Sequence, residues 1–333
     1  MTRGAYTLAG FAAVSLLVVL IAPLVGPQLI PLRAVFSPGA EDPEAVIFWQ
    51  LRLPRVCLAW LAGAGLAVAG MAFQALFRNA LATPFTLGVS SGSAFGAALG
   101  LRLGLGGVLF GLPGAGAGAL IGGLAAIALV YGLTQLKRDS TTATLLLAGV
   151  AVNFFFSSLI LLVQYTADFY DTMTLLRWLM GGLQSVGFEA PLQLLPFVVA
   201  GTILLAWRIA ELDLLTTGEA LAASRGVAVG RVKATLFLGV SVVVAVIVSQ
   251  CGPIGFIGLM CPHICRLMVG AGHRQLLPAS LLFGGGFLVV CDTVARTAFA
   301  PAELPVGIFT SLLGAPFFLW LLLRPSRDGG LSV

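Results

Sequence analysis

The sequence predicts an all-α integral membrane protein of about ten transmembrane helices in a single domain over 1–333. Three observations carry that prediction. Hydrophobic residues make up 59% of the 333 residues and charged residues 9%, with a mean hydropathy of +1.05. A soluble domain carries about 25% charged residues, so this chain lacks the polar surface that water requires. The charges that do occur stand far apart and leave nine long uncharged intervals. One of these, Lys233–Arg266, is interrupted by Gly252-Pro253-Ile254-Gly255 and therefore divides into a full helix and a short one.

A helix needs roughly 20 apolar residues to cross about 30 Å of hydrocarbon, and the intervals supply them in order. Arg3–Arg33 holds the first span. Its apolar run is long for a signal-peptide core and no small-x-small site closes it, so it is read as an uncleaved helix. Segment 26–54 follows as an outer connection punctuated by prolines up to Pro54, with Val46-Ile47-Phe48-Trp49 as a short interfacial piece. Arg55–Arg78, Arg78–Arg102, Arg102–Lys137, Asp139–Asp168 and Glu189–Arg208 give the second to sixth spans. Segment 211–233 is the longest polar stretch on the inner side, a loop or short helices outside the bilayer. Lys233–Arg266 gives the seventh span and a short eighth, Arg274–Asp292 the ninth and Glu303–Arg324 the tenth.

An even number of spans places both termini on one side. Twelve of the eighteen Lys and Arg residues fall at that side, Lys137, Arg138, Arg324 and Arg327 among them. The excess marks it as cytoplasmic. The net charge of +5 is thus a topology signal and implies no nucleic-acid partner. Glycine runs such as Gly104-Leu105-Gly106-Gly107 and Gly114-Ala115-Gly116-Ala117-Gly118 have apolar flanks, so they read as close helix approaches and not as phosphate loops. Tracts 70–92 and 252–270 each pass from apolar helix through Pro/Gly breaks to an arginine, in opposite directions, as inverted repeats would.

Chemistry-bearing residues are few. The five cysteines lie inside expected spans and make no disulfide framework. Cys261-Pro262-His263-Ile264-Cys265 has soft metal-ligand types, but the structural reading is preferred: Pro262 frees a backbone carbonyl that His263 or Arg266 satisfies near the inner interface. No metal site and no cofactor are expected. Asp292 and Arg296, four apart, can pair on one helix face. No set of nucleophile, acid and base shares one depth, so no catalytic residues are assigned. The two lysines, Lys137 and Lys233, sit in no G-x-x-x-x-G-K-[ST] loop, so ATP hydrolysis would belong to another chain.

Several blocks then become recognisable. They are Leu51-Arg52-Leu53-Pro54-Arg55; Gly63 to Gly70 with Gln74; Arg78-Asn79-Ala80-Leu81-Ala82-Thr83-Pro84; and Leu87-Gly88-Val89-Ser90-Ser91-Gly92. Further along come Leu147-Ala148-Gly149-Val150-Ala151, Trp178-Leu179-Met180-Gly181-Gly182, Gly252-Pro253 through Leu259 with Pro262, His263 and Arg266, and Glu303-Leu304-Pro305-Val306-Gly307. Over about residues 45–324 the chain resembles the FecCD permease family, ten-helix subunits of type II ABC importers for ferric siderophores, haem and cobalamin.

The resemblance implies a homodimer with the substrate path on its two-fold axis, in a bacterial inner membrane. Two cytoplasmic ATPase subunits would sit below, and a periplasmic or lipid-anchored substrate-binding protein would dock above. It places Arg52, Arg55 and Arg296 as outward arginines receiving that binding protein. Gly218-Glu219-Ala220-Leu221-Ala222-Ala223-Ser224-Arg225-Gly226 matches the ATPase-coupling segment, with Gly218, Glu219, Ala222, Arg225 and Gly226 at the matching positions. Structural or path positions are Gln74, Asn79, Pro84, Trp178, Gly181, Pro253, Pro262, His263, Arg266, Asp292, Glu303 and Pro305. Ala80, Arg225 and Gly182 depart from the usual pattern, and the Gly181-Gly182 pair keeps cobalamin beside iron chelates as cargo. The expected function is import of an iron chelate, with cobalamin as the alternative. An autonomous secondary transporter or intramembrane enzyme is the alternative of another class.

Overall fold

A computed structural model of the chain describes residues 3–26, 28, 30–36, 42–104, 114–136 and 142–323. Lys137, Arg138, Arg324 and Arg327, counted in the charge asymmetry, lie outside the described residues, as do Leu105, Gly106 and Gly107 of one glycine run. In chain order the α-helices are α1 (Arg3–Ile21), α2 (Pro43–Val46), α3 (Leu53–Phe77), α4 (Val89–Arg102), α5 (Gly114–Leu136), α6 (Thr142–Thr166) and α7 (Phe169–Leu179). They continue with α8 (Glu189–Trp207), α9 (Ile209–Thr217), α10 (Glu219–Ser224), α11 (Val229–Cys251), α12 (Ile257–Val269), α13 (His273–Thr297) and α14 (Val306–Leu323). No strand occurs among the described residues.

Among the described residues seven helices are long and apolar enough to cross a membrane, and α12 and α14 are shorter apolar helices. With the 14-residue α4, these occupy the ten places at which the sequence puts spans. The chain is a multi-pass membrane protein. Helix α3 is apolar on every side and is buried on every side, as a helix without a polar face must be. It packs against α8, α11, α12 and α13. Around it α1 and α6 turn Leu16, Leu17, Leu20, Phe154, Leu161 and Leu162 outward. Such faces suit lipid and do not suit water.

Close approaches are made where side chains vanish. A Cβ on Gly70 would strike the Gly258 backbone of α12, and one on Gly63 the Gly284 carbonyl of α13. Along the α4–α5 seam, Gly92, Gly96 and Gly100 face Gly122, Gly118 and Gly114 in turn. The glycine run in α5 is therefore a helix-packing device, as its flanks indicate. The Gly70–Gly258 contact also brings together the two tracts read as inverted repeats.

Two local expectations are corrected. Val46-Ile47-Phe48-Trp49 is no separate interfacial piece: α2 runs through a π-helical turn, Ile47–Arg52, straight into α3. Pro54 does not break that run, because it lies in the first turn of α3 and the preceding π turn, closed by the Leu53 amide donating to Phe48 O, absorbs the missing donor. Second, α7 was not foreseen. Its signal is local: Asp168 accepts from the Asp171 amide at 2.8 Å and caps the helix.

Candidate functional site

The expected site residues fall into a charged cluster on α3 and α13, a set of contacts around the crossing of α3 and α12, and the α9–α10 segment. At one end α3, α13 and the segment before α14 bring charges together. Arg55 donates to Asp292 through Nε (3.0 Å to Oδ2) and Nη2 (2.9 Å to Oδ1), and its Nη1 donates to Glu303 Oε2 at 2.8 Å. Asp292 is 1% exposed, so this bidentate pair is what makes a buried carboxylate tolerable. Arg296 stands one turn on, with Nε 3.8 Å from Asp292 Oδ2. The main partner of Asp292 is thus Arg55, 237 residues away in the chain, and the local pair is secondary.

The outward projection expected of the three arginines is corrected in two cases. Arg52 is 8% exposed and Arg296 3%. Arg52 donates to the carbonyls of Pro23, Leu24 and Gln28, and Arg296 Nη2 to that of Ala22 at 3.1 Å. Both guanidinium groups donate to carbonyls of the turn that follows α1, partners that sequence spacing does not reveal. Arg55 keeps 15% side-chain exposure and Glu303 45%.

Toward the C-terminal end of α3, α12 meets it. Pro262 has no N–H, so the carbonyl of Gly258 lacks its helical donor. Neither His263 nor Arg266 satisfies it. Gln74 does, donating through Nε2 to Gly258 O at 3.4 Å and to Leu259 O at 3.2 Å. Arg266 then donates to Gln74 Oε1 at 3.0 Å. The carboxamide reaches both because α3 and α12 touch at Gly70 and Gly258. The His263 ring lies edge-on to Phe317 of α14, 6.2 Å between centroids.

Three blocks distant in sequence converge beside this crossing. Gly252 ends α11 at φ 65° and Gly181 sits at φ 68°. The Gly182 amide donates to Cys251 O at 2.8 Å. Cβ atoms on Gly181 and Gly252 would meet the carbonyls of Pro253 and Trp178, and one on Gly307 those of Met180 and Pro253. The Trp178–Gly182, Gly252–Pro253 and Pro305–Gly307 blocks are therefore one backbone junction, and Pro305 opens α14 by accepting from the Ile308 amide. Between α3 and α4, Asn79 Oδ1 accepts from the Leu81 amide at 2.8 Å and Pro84 O from the Leu87 amide. Asn153 of α6, which sequence reading passed over, braces that turn by donating to Phe85 O and Thr86 O. Its one signal is an amide inside an apolar span.

Between α4, α6 and α7 lies an open groove of about 570 Å3 whose polar lining is Ser90, Ser91, Asn153, Ser157 and Gln164. Among the described residues no charged side chain lines it. Ser91 donates to Asn153 Oδ1 at 2.7 Å.

At the opposite end, α9 and α10 form the polar segment. Gly218 (φ 129°) opens α10 and Gly226 (φ 85°) closes it. The Gly226 amide donates to Ala223 O and the Val227 amide to Ala222 O, a Schellman ending that needs a left-handed residue. Ala222 is fully buried, Glu219 pairs with Lys233 of α11 at 2.6 Å, and Arg225 stays exposed.

Comparison with known proteins places this arrangement. The family model for the FecCD transport family matches residues 14–324. A cobalamin import system permease of Halobacterium salinarum is 43% identical over 286 residues, covering 85% of this chain and 75% of that protein. A hemin transport system permease of Yersinia pestis is 38% identical over 298 residues, covering 88% and 87%. A solved structure assigned to the metal-chelate type of ABC transporter, in an inward-facing conformation, superposes with a TM-score of 0.84 at 31% identity, over 97% of this chain and 100% of that one. On this match the chain belongs to the FecCD transport family, as a membrane permease of the ABC importers of metal-chelate type.

Proposed function

We propose that two copies of this chain form the translocation unit of an importer driven by two separate ATPase subunits, and that its cargo is a corrinoid of the cobalamin type. The observation that carries the first part is the placement of the two end groups. A charged cluster built on Arg55, Asp292 and Glu303 lies at one end of α13, and the α9–α10 segment lies at the other. In this reading a binding protein docks over the Arg55 end, where Arg52 and Arg296 support the surface from beneath. Gly218, Glu219, Ala222, Arg225 and Gly226 receive the ATPase on the cytoplasmic side, where both termini lie.

The cargo reading rests on the groove. Its hydroxyls and carboxamides are neutral, and they complement the peripheral amides of a corrinoid better than the carboxylates of haem. Such weak, uncharged contacts also let a cargo leave. The Gly181-Gly182 pair and the name of the Halobacterium relative support the same choice. Haem or a ferric siderophore is the second reading, favoured by the name of the Yersinia relative.

Reconstitution tests both parts. Proteoliposomes holding this chain alone are expected to take up neither cyanocobalamin nor haemin with ATP or a proton gradient. Adding the ATPase and the binding protein should restore ATP-dependent uptake of cyanocobalamin. Robust proton-driven uptake by the chain alone would establish a secondary transporter and overturn the reading. Tryptophan quenching of the partner binding protein by haem, cobalamin and ferric chelates decides the cargo.

A further inference from the structure

Segment α9–α10 is held to the membrane helices at two points of unequal character. The outer one is the Glu219–Lys233 pair, whose carboxylate is 48% exposed. The inner one joins α9 to the first residue of α13. Asp213 Oδ1 accepts from the His273 amide at 3.1 Å and contacts the His273 ring Nδ1 at 2.6 Å. A carboxylate only accepts, so Nδ1 carries the proton of this bond. The His273 side chain is 3% exposed, and its Nε2 is buried with no partner among the described residues. The ring is thus fixed by Asp213 and by packing alone. Leu212 and Leu215, on either side of Asp213, are buried in the main core. Helix α9 is thereby joined to the first residue of α13, and it packs against α3 as well.

What α13 does at its far end gives this contact meaning. From His273 to Asp292 the helix rises roughly 28 Å. There Asp292 holds Arg55 of α3, and Arg296 holds the Ala22 carbonyl just after α1. Midway, Gly284 lies against Gly63 of α3, where no side chain cushions the contact. Tied at both ends, α13 links the two faces of the bundle, with Pro278 and Gly284-Gly285-Gly286 between the ties.

We propose that Asp213 and His273 form a clasp that passes displacement of the α9–α10 segment into α13, and so to the Arg55 cluster at the opposite end. Both are positioning residues: neither touches cargo nor nucleotide. The clasp rests on the permease reading, because it supposes an ATPase that pushes on α10. It differs from a static brace in one respect. A brace affects how much protein folds, whereas a clasp decides whether motion at α10 arrives at α13.

The test uses the full complex with its ATPase in nanodiscs, with Cys57→Ser to remove the half-buried native thiol. Spin labels are placed at Ser224→Cys on α10 or at Val294→Cys on α13, and the distance between the two copies is measured before and after trapping with ATP and vanadate. In the parent both distances are expected to shift. With Asp213→Ala the Ser224 shift should persist while the Val294 shift is at least halved, and Asp213→Asn, which keeps the acceptor, should lie between. His273→Phe keeps the backbone donor and an aromatic ring but loses the Nδ1 contact to Asp213, giving a milder change of the same sign should Asp213→Ala fail to assemble. An unchanged Val294 shift in Asp213→Ala, or in His273→Phe, overturns the clasp. No shift at either label in the parent counts against the permease reading itself, and the clasp falls with it.

Discussion

At the scale of single residues, the largest electrostatic stake is Asp292. Removing one partner of a buried pair leaves an uncompensated charge and costs about 3 kcal/mol. Asp292→Ala strands the half-buried Arg55 beside the buried Arg296. The expected outcome is a loss of that order in stability, read as a lower unfolding midpoint in detergent. An undiminished midpoint would mean that Arg55 finds Glu303 sufficient. Arg55→Lys should also be weaker, since an ammonium cannot reproduce the bidentate contact. Binding-protein affinity should fall in Arg55→Glu. Arg52→Glu and Arg296→Glu should instead first lower the folded yield, because those side chains serve carbonyls of the turn that follows α1. Gln74 makes the complementary point: it was singled out by sequence, but its task, filling the gap left by Pro262, became visible only with α12 placed beside α3.

At the scale of elements, the packing depends on missing Cβ atoms. Gly70→Ala drives a methyl into the Gly258 backbone, which cannot rotate away as a side chain would. The expected cost is about 2 kcal/mol, in the range of overpacked cores. Gly10, in the outward-facing α1, has nothing within 4 Å of a new Cβ. Gly10→Ala is therefore expected to leave the unfolding midpoint unchanged, and the pair of midpoints measured side by side checks the contrast. Gly226 presents the other use of glycine. Its φ of 85° is strained for an L side chain by roughly 1 kcal/mol, so Gly226→Val should unwind the end of α10. ATP hydrolysis should then no longer rise with loaded binding protein while the complex still assembles. Retained stimulation would show that α10 tolerates a frayed end.

At the scale of the whole molecule, the reading fixes an orientation that labelling can check. Ser224→Cys on α10 should react with a membrane-impermeant maleimide only from the cytoplasmic face. Phe36→Cys, at an exposed position in the turn Leu32–Phe36, should react only from the outside. The reverse pattern would invert the topology and move the ATPase to the Arg55 end. The same bipolar layout accounts for the lack of charge between the ends: the bundle is bound together by glycine contacts and by a few internal amides and hydroxyls, as lipid-embedded backbone requires.

Much of this was legible in the amino-acid sequence. Spacing of charges gave the spans, because hydrocarbon excludes charge over a fixed thickness, and the Gly252-Pro253-Ile254-Gly255 run gave the break within Lys233–Arg266. Glycine runs announced close helix contacts, and the blocks from Arg52 to Gly307 announced the family. What the sequence left open are pairings over long chain separations: Arg55 with Asp292, Gln74 with Gly258 and Arg266, Asp213 with His273. Local spacing suggested Asp292 with Arg296, one turn apart, and the family resemblance suggested outward arginines at Arg52 and Arg296. Tertiary structure kept the Asp292–Arg296 pair but made Arg55 the main partner and buried Arg52 and Arg296, because buried donors and acceptors must be satisfied by whichever group lies nearest in space, and in a helical bundle that group usually belongs to another helix.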